Sequence, residues 1–135
     1  MQATLKPLVL LTTLPQESHG LGLLMVEAMM SVAGTGCLSL GVQTPPADIV
    51  KAVRAQGADI VALSFSSTQL PRAVAAGLRD LRALLPAGVQ IWAGGVGLAR
   101  VPRLPEGVKV MLDLDDIEPA LTEWRKMTVL RLSSY

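Results

Sequence analysis

Short apolar runs alternate with longer amphipathic segments along the chain. The apolar runs are rich in Leu, Val and Ile and are bounded by Gly, Pro or polar residues, which is typical of buried strands. They cover residues 7–13, 37–40, 59–64, 89–93 and 108–112. Continuous apolar runs, rather than alternating ones, indicate a parallel sheet that is covered on both faces.

The segments between these runs have the three- and four-residue spacing of helices. Helices are predicted over residues 20–32, 47–56, 71–85 and 115–127, and residues 128–135 are predicted to form a tail. The spacing assigns the first helix an inner face of Leu21, Leu24, Met25, Ala28 and Met29. The inner face of the third helix is predicted to contain Val74, Leu78, Leu81 and Leu85.

Five strands that alternate with helices predict an α/β fold with a parallel sheet. For a chain of 135 residues, the flavodoxin-like (Rossmann-like) doubly wound order 2-1-3-4-5 is expected, in one domain over residues 6–127. Such sheets bind ligands beyond the carboxyl ends of their strands. The candidate site is therefore divided among the loops at residues 14–20, 64–70 and 94–99.

Composition narrows the classes of function. The net charge is +1 and Lys and Arg are dispersed, which argues against direct nucleic-acid binding. The single cysteine excludes an internal disulfide framework. No apolar run is long enough to cross a membrane and no signal peptide is recognisable, so we expect a cytoplasmic protein. Charged residues make up only 17%, which fits a covered sheet or a surface that a partner or further domains cover.

His19 is the only histidine of the chain and follows the first predicted strand, in the sequence Glu17-Ser18-His19-Gly20-Leu21-Gly22. If the loop curls, Glu17 can accept a hydrogen bond from one imidazole nitrogen and leave the other free for a metal. Gly22 has no side chain, so a ligand could approach the backbone there. The alternative is an ordinary solvated loop histidine.

Hydroxyl and glycine residues follow the third and fourth strands. The sequence Ser64-Phe65-Ser66-Ser67-Thr68 offers donors to a ligand, or caps for the next helix. The glycines of Gly94-Gly95-Val96-Gly97 permit positive φ angles and close backbone approach. This run lacks the Lys-Ser or Lys-Thr of a phosphate-binding loop and follows the wrong strand for a dinucleotide fingerprint.

Taken together, Glu17-x-His19-x-x-Gly22, Ser64 and Gly94-Gly95 resemble the Asp/Glu-x-His-x-x-Gly … Ser-x-Leu … Gly-Gly signature of cobalamin-binding domains. The resemblance spans nearly the whole chain. It implies that cobalamin, with an adenosyl or a methyl upper ligand, binds with its dimethylbenzimidazole base detached from cobalt and a histidine in its place.

The resemblance also implies roles for single residues. His19 would be the lower axial ligand of cobalt and Glu17 its hydrogen-bond partner. Ser64 would contact the detached base in a slot beside the sheet. The three glycines of the signature would make room for the nucleotide tail; they are Gly22, Gly94 and Gly95. Ser18 and Ser66 complete the predicted cofactor site, although Ser66 stands where the signature has Leu, which leaves the packing around the base open.

The wider stretches Pro15-x-Glu17-x-His19-x-Leu21-Gly22 and Leu40-Gly41-x-x-Thr44-Pro45 are similar to the cobalamin domains of MerR-type transcriptional regulators, including light-responsive repressors. That similarity implies a sensor module that catalyses nothing. A helical cap and a DNA-binding domain would then lie on a longer chain or on a partner. A second copy of the chain is a further candidate partner. Two alternatives are a cobalamin-carrying domain of a methyltransferase or mutase, and a flavodoxin-like domain with another ligand.

Overall fold

Five parallel strands form one sheet with the spatial order β2-β1-β3-β4-β5. The computed structural model describes the backbone of residues 6–133 and the side chains of residues 6–131. The strands are β1 Leu8–Thr12, β2 Gly36–Gly41, β3 Ile60–Ser64, β4 Gln90–Gly94 and β5 Val108–Met111. The predicted fold and strand order are confirmed, and every predicted strand is present within one or two residues of its expected ends.

Four helices connect and cover these strands: α1 Leu21–Val32, α2 Pro46–Gln56, α3 Pro71–Leu84 and α4 Ile117–Ser133. Prolines occupy the first turns of α2 and α3, where the absence of a backbone N–H costs nothing. Gly57 ends α2 with a left-handed φ of 70°, which glycine adopts without strain. A 3₁₀ turn precedes α4 and begins with a capping box between Asp113 and Asp116.

The helices cover the sheet in two layers, each with its own apolar core. Helices α2 and α3 pack on one face through the buried residues Ile49, Val53, Val74, Leu78 and Leu81, together with Leu85 at the C-cap of α3. Helices α1 and α4 pack on the other face through Leu23, Met30, Ile117, Ala120 and Leu121. The predicted inner face of the third helix is therefore confirmed, and the strands are buried on both sides, as their continuous apolar runs require.

The predicted inner face of α1 is wrong. Leu21 and Leu24 are 71% and 63% exposed, and the buried positions are Leu23 and Met30. Apolar residues surround most of this helix, so three- and four-residue spacing fits two different stripes. The position of α1 over the sheet selects the stripe that contains Leu23, and this leaves Leu21 at the edge where the strands end.

The last helix is longer than predicted. The structure continues α4 to Ser133, through most of the segment 128–135 that was predicted as a tail; residues 134 and 135 lie outside the described part. Ile117, Ala120 and Leu121 are buried, whereas the helix after Leu121 is half-buried or exposed. The hydrophobic pattern fades there because these positions contribute little to the buried core. Among the described residues, no helix combines the length and the apolar character needed to cross a membrane.

Candidate functional site

The loops that follow β1, β3 and β4 meet at the carboxyl edge of the sheet, as the topology requires. A cavity of about 530 Å³ opens at this edge and continues along the sheet face between α1 and the start of α4. Most of the residues predicted for the cofactor site line this cavity: His19, Gly22, Ser64, Ser66, Gly94 and Gly95. Ser18 is exposed and is not part of the cavity lining.

The loop after β1 is held in place by the buried hydroxyl of Thr13 and by a backbone turn. The hydroxyl of Thr13 donates to the backbone oxygen of Glu17 at 2.7 Å and accepts from the backbone N–H of Gln43 at 2.7 Å. The N–H of Glu17 closes a turn onto the oxygen of Leu14 at 2.9 Å. This loop is therefore attached to both β1 and the start of the segment after β2, which fixes the direction in which Glu17 enters the structure.

Glu17 and His19 form the hydrogen bond that their spacing predicts. The Nδ1 atom of His19 lies 3.0 Å from Oε2 of Glu17. The Glu17 side chain is 1% exposed, whereas that of His19 is 60% exposed and lines the cavity. Because a carboxylate accepts, Nδ1 carries the hydrogen and the lone pair of the imidazole remains on Nε2. Nε2 has no hydrogen-bond partner among the described residues and is therefore available to a ligand.

Ser66 holds the Glu17 carboxylate from the opposite side. Its backbone N–H donates to Oε1 at 2.6 Å and its hydroxyl donates to Oε2 at 2.8 Å. The hydroxyl of Thr68 lies 2.7 Å from that of Ser66 and extends the chain of hydrogen bonds toward solvent. Sequence reasoning placed Ser66 beside the cofactor but did not find this contact, because its partner is 49 residues away.

These contacts set the ionisation of Glu17. Burial alone raises the pKa of its carboxyl group, but the hydrogen bonds from the backbone and side chain of Ser66 and from His19 outweigh it and lower the pKa below its ordinary value of 4.5. Glu17 is thus an anion at neutral pH. An anionic partner at Nδ1 fixes the tautomer of His19 and makes Nε2 a stronger electron donor.

Gly22 brings the first turn of α1 against the end of β3. A Cβ atom at this position would lie 2.7 Å from the hydroxyl oxygen of Ser64. The missing side chain therefore leaves space that the Ser64 hydroxyl occupies, at the wall of the cavity. Within the described part of the chain this hydroxyl has no hydrogen-bond partner, so it can donate to a bound molecule.

Gly95 and Gly97 allow the loop after β4 to pack directly on the loop after β3. A Cβ atom on Gly95 would overlap the backbone oxygen of Phe65, and one on Gly97 would overlap that of Ser66. Gly95 also has a φ of 103°, which side chains strongly disfavour. The glycine run thus brings two loops of the site together and fixes the backbone that presents Ser66.

The deep part of the cavity is built by residues that sequence reasoning missed. Val26 and Met30 of α1, Trp92 of β4, Met111 of β5 and Ile117 of α4 form its walls. The floor is made of small side chains of β3 and β4, such as Ala62 and Gly94. A sequence signal exists for this floor, since small residues at the inward positions of two neighbouring strands leave a gap in a close-packed layer.

An apolar cavity with one available imidazole nitrogen at the carboxyl edge of the sheet is typical of an α/β domain that binds a ligand or cofactor. The chain belongs to the B12-binding domain family, whose model matches residues 7–121. Cobalamin is accordingly its cofactor. The donor set fits: the corrin ring surrounds cobalt with its own nitrogens, and imidazole is a suitable further ligand for this metal.

Comparison with individual proteins agrees with this assignment. Over 85 residues, 63% of this chain, the sequence is 33% identical to the HTH-type transcriptional repressor CarH of Myxococcus xanthus, and the match spans 28% of that repressor. A cobalamin-binding protein from Desulfitobacterium hafniense superimposes with a TM-score of 0.69 at 22% identity, over 87% of this chain and 58% of that one. The Methanosarcina barkeri monomethylamine corrinoid protein superimposes with a TM-score of 0.68 at 17% identity, over 86% of this chain and 57% of that one. These two structures share the fold.

Proposed function

We propose that the domain binds cobalamin with the dimethylbenzimidazole base detached from cobalt and with Nε2 of His19 as the lower axial ligand. The observation that carries this proposal is the 3.0 Å hydrogen bond between His19 Nδ1 and Glu17. It directs the free lone pair of the imidazole to Nε2, in a side chain that lines the cavity. The anionic, buried Glu17 then stabilises the imidazole in the ligating tautomer.

The cavity would receive the detached base and the nucleotide tail. Its opening lies beside His19, and its deep part, which we call the slot, lies between α1 and α4. A base could therefore enter the slot while the corrin ring stays at the sheet edge. The Ser64 hydroxyl would donate to the ring nitrogen that the base releases from cobalt. Gly22 and Gly94 would leave room for the tail, in addition to the packing that they provide. Ser18, which is exposed, would contact only the outer edge of the cofactor.

We further propose that this domain is the sensor module of a transcriptional regulator. The likeness to the repressor CarH supports this role, and because the chain spans only 28% of that protein, a DNA-binding domain and a helical cap would be supplied by a longer chain or by a partner. A second copy of the chain is another candidate partner. Bound cobalamin supplies a cobalt–carbon bond to an adenosyl or methyl group that light can break, and loss of that group would alter the contacts of the upper face. The domain itself would catalyse nothing, and the regulator would be cytoplasmic.

A second candidate function is that of a corrinoid carrier for a methyltransferase or mutase. The structural likeness to the monomethylamine corrinoid protein supports it. In a carrier the same Glu17–His19 pair would tune the cobalt ligand during methyl transfer or radical chemistry. The substrate would bind to a separate domain or subunit.

Retention of cofactor tests the binding proposal. The protein is mixed with hydroxocobalamin or adenosylcobalamin, desalted, and examined by visible spectroscopy. We expect a retained corrinoid whose spectrum changes in the His19→Ala variant, and a desalted protein without corrinoid would overturn the proposal. The regulator and the carrier are separated by illuminating the adenosylcobalamin complex and measuring its oligomeric state. A change supports the sensor, and an unchanged state contradicts light sensing.

A further inference from the structure

The walls of the deep cavity offer almost no hydrogen-bonding groups. Val26 and Met30 on one side and Met111 and Ile117 on the other are apolar, and they enclose the floor of small residues between them. Met30 and Ile117 are buried, so this part of the cavity is lined by side chains of the apolar core. A group that enters the slot loses its contacts with water and gains contacts with aliphatic side chains and methionine sulfur atoms.

Most of the polar side chains that line the cavity already form hydrogen bonds with other groups of the protein. The indole Nε1 of Trp92 donates to Oε1 of Gln90 at 2.8 Å. Asp113 accepts from the backbone N–H of Asp115 at 2.9 Å as the cap of the next turn, and it is exposed, so its carboxylate lies at the open side of the cavity. Ser66 and the Nδ1 atom of His19 are both bonded to Glu17.

Of the side-chain groups that keep hydrogen-bonding capacity, only the Ser64 hydroxyl belongs to the slot. Nε2 of His19 lies on an exposed side chain at the mouth of the cavity. The Ser64 hydroxyl stands at the end of β3, where the close approach of Gly22 limits its movement. Among the side chains that line the slot, the Ser64 hydroxyl is therefore the one polar group between apolar walls.

We propose that these walls select the lower base of the corrinoid, taking a benzimidazole and discriminating against a purine. This inference rests on the proposed base-off binding mode. A dimethylbenzimidazole detached from cobalt has one ring nitrogen with a free lone pair, which the Ser64 hydroxyl satisfies, and its methyl groups pack on Val26, Met30 and Met111. An adenine base adds further ring nitrogens and an amino group, and the single Ser64 hydroxyl cannot pair with all of them.

The free-energy cost of burying unpaired polar groups of the purine determines how much more weakly the adeninyl cobamide binds. A polar group that is moved from water into an apolar site without a hydrogen bond is disfavoured, and sites of fixed polarity discriminate mainly in this way. We expect the adeninyl cobamide to bind at least roughly tenfold more weakly than cobalamin, because one or two of its polar groups remain unpaired.

Binding of three corrinoids to the unmodified chain tests the proposal. Dissociation constants are measured for cobalamin, for the adeninyl cobamide, and for cobinamide, which lacks the base and the nucleotide tail. We expect cobalamin to bind most tightly. Equal binding of cobalamin and the adeninyl cobamide would overturn the selectivity while leaving the proposed function standing. Equal binding of cobalamin and cobinamide would show that the slot contributes nothing, and failure of all three would remove the proposed function itself.

A substitution in the wall gives an independent test. Val26→Thr is nearly isosteric and adds a hydroxyl that accepts from the amino group of a purine, even if it donates to the preceding helical turn. We expect it to reduce the preference for cobalamin several-fold. Val32→Thr is the matched control, since Val32 lies on the same helix, is 91% exposed and is absent from the cavity lining. A preference that Val26→Thr leaves unchanged would contradict selection by this wall.

Discussion

Ser66 binds both carboxylate oxygens of Glu17, one through its backbone N–H at 2.6 Å and the other through its hydroxyl at 2.8 Å. This pairing joins the loop after β3 to the loop after β1 and leaves Glu17 oriented toward His19. It also gives a reason for Ser at the position where the family signature has Leu. The hydroxyl reaches a glutamate whose carboxylate would otherwise be buried with fewer donors, and such a buried anion is costly.

Ser66→Ala is predicted to weaken this pairing without removing it. The backbone N–H still binds Oε1, so only the contribution of the hydroxyl is lost, and the free energy of unfolding should fall by about 1.5–3 kcal/mol, the range for a hydrogen bond to a charged group. Cobalamin should bind several-fold more weakly because His19 is held less firmly. Urea unfolding and equilibrium binding measure the two effects. Ser67→Ala is the control, since Ser67 is exposed, and equal stability of the two variants would contradict the role given to Ser66.

The lowered pKa of Glu17 predicts a loss of stability in acid. In the unfolded chain this carboxyl group titrates near its ordinary value of 4.5, and in the folded chain below it. A lowered folded-state pKa gives stability that is fully present above the unfolded value and is lost as the pH falls through the folded value. Glu17→Gln should therefore be less stable than the wild type at pH 7, and the difference should shrink below about pH 4.5. Urea unfolding at a series of pH values tests this, and a difference that is constant with pH would contradict it.

Gly95→Ala is predicted to damage the fold itself. The new Cβ atom would meet the backbone oxygen of Phe65, and the φ of 103° at this position is almost restricted to glycine. We expect a loss of at least about 2 kcal/mol in the free energy of unfolding. Gly88→Ala serves as the comparison because nothing lies within 4 Å of its Cβ position. Similar melting temperatures for the two variants would show that the packing of these loops does not depend on Gly95.

Gly22 and Ser64 are predicted to be coupled. Alanine at position 22 improves helix propensity by about 1 kcal/mol, but its Cβ atom would lie 2.7 Å from the Ser64 hydroxyl oxygen. Gly22→Ala should therefore stabilise the chain more in a Ser64→Ala background than in the wild type. A thermodynamic cycle of the four proteins measures this coupling. Additive effects would mean that the hydroxyl does not occupy the space that Gly22 leaves.

The fold was predictable because its evidence is local. Each strand is a separate apolar run between turn residues, and alternation with helices determines a parallel sheet. The orientation of α1 was not predictable, because Leu21 and Leu23 belong to two stripes of similar hydrophobicity and only the sheet distinguishes them. The extension of α4 was missed for a related reason: beyond Leu121 the helix covers little of the core, so the apolar spacing that marks a helix is weak there.

The contacts of the candidate site also fall into a predictable group and an unpredictable group. The neighbours Glu17 and His19 could be paired from their spacing, and the signature residues meet because parallel strands end at one edge. The contact of Glu17 with Ser66 and the enclosure of the slot by Met30, Met111 and Ile117 depend on the register of strands and on helix positions. These contacts join residues that are far apart in the chain, so no local sequence pattern predicts them.

The central claim, that Nε2 of His19 binds cobalt, is tested most directly by electron paramagnetic resonance of the chain loaded with cobalamin and reduced to the cobalt(II) state. His19 is the only histidine, so ¹⁵N-labelled histidine marks this one residue while the bound cofactor stays unlabelled. We expect the triplet splitting from an axial ¹⁴N ligand to become a doublet on labelling. A triplet that persists in the labelled protein would mean that the base of the cofactor still binds cobalt, and it would contradict ligation by His19.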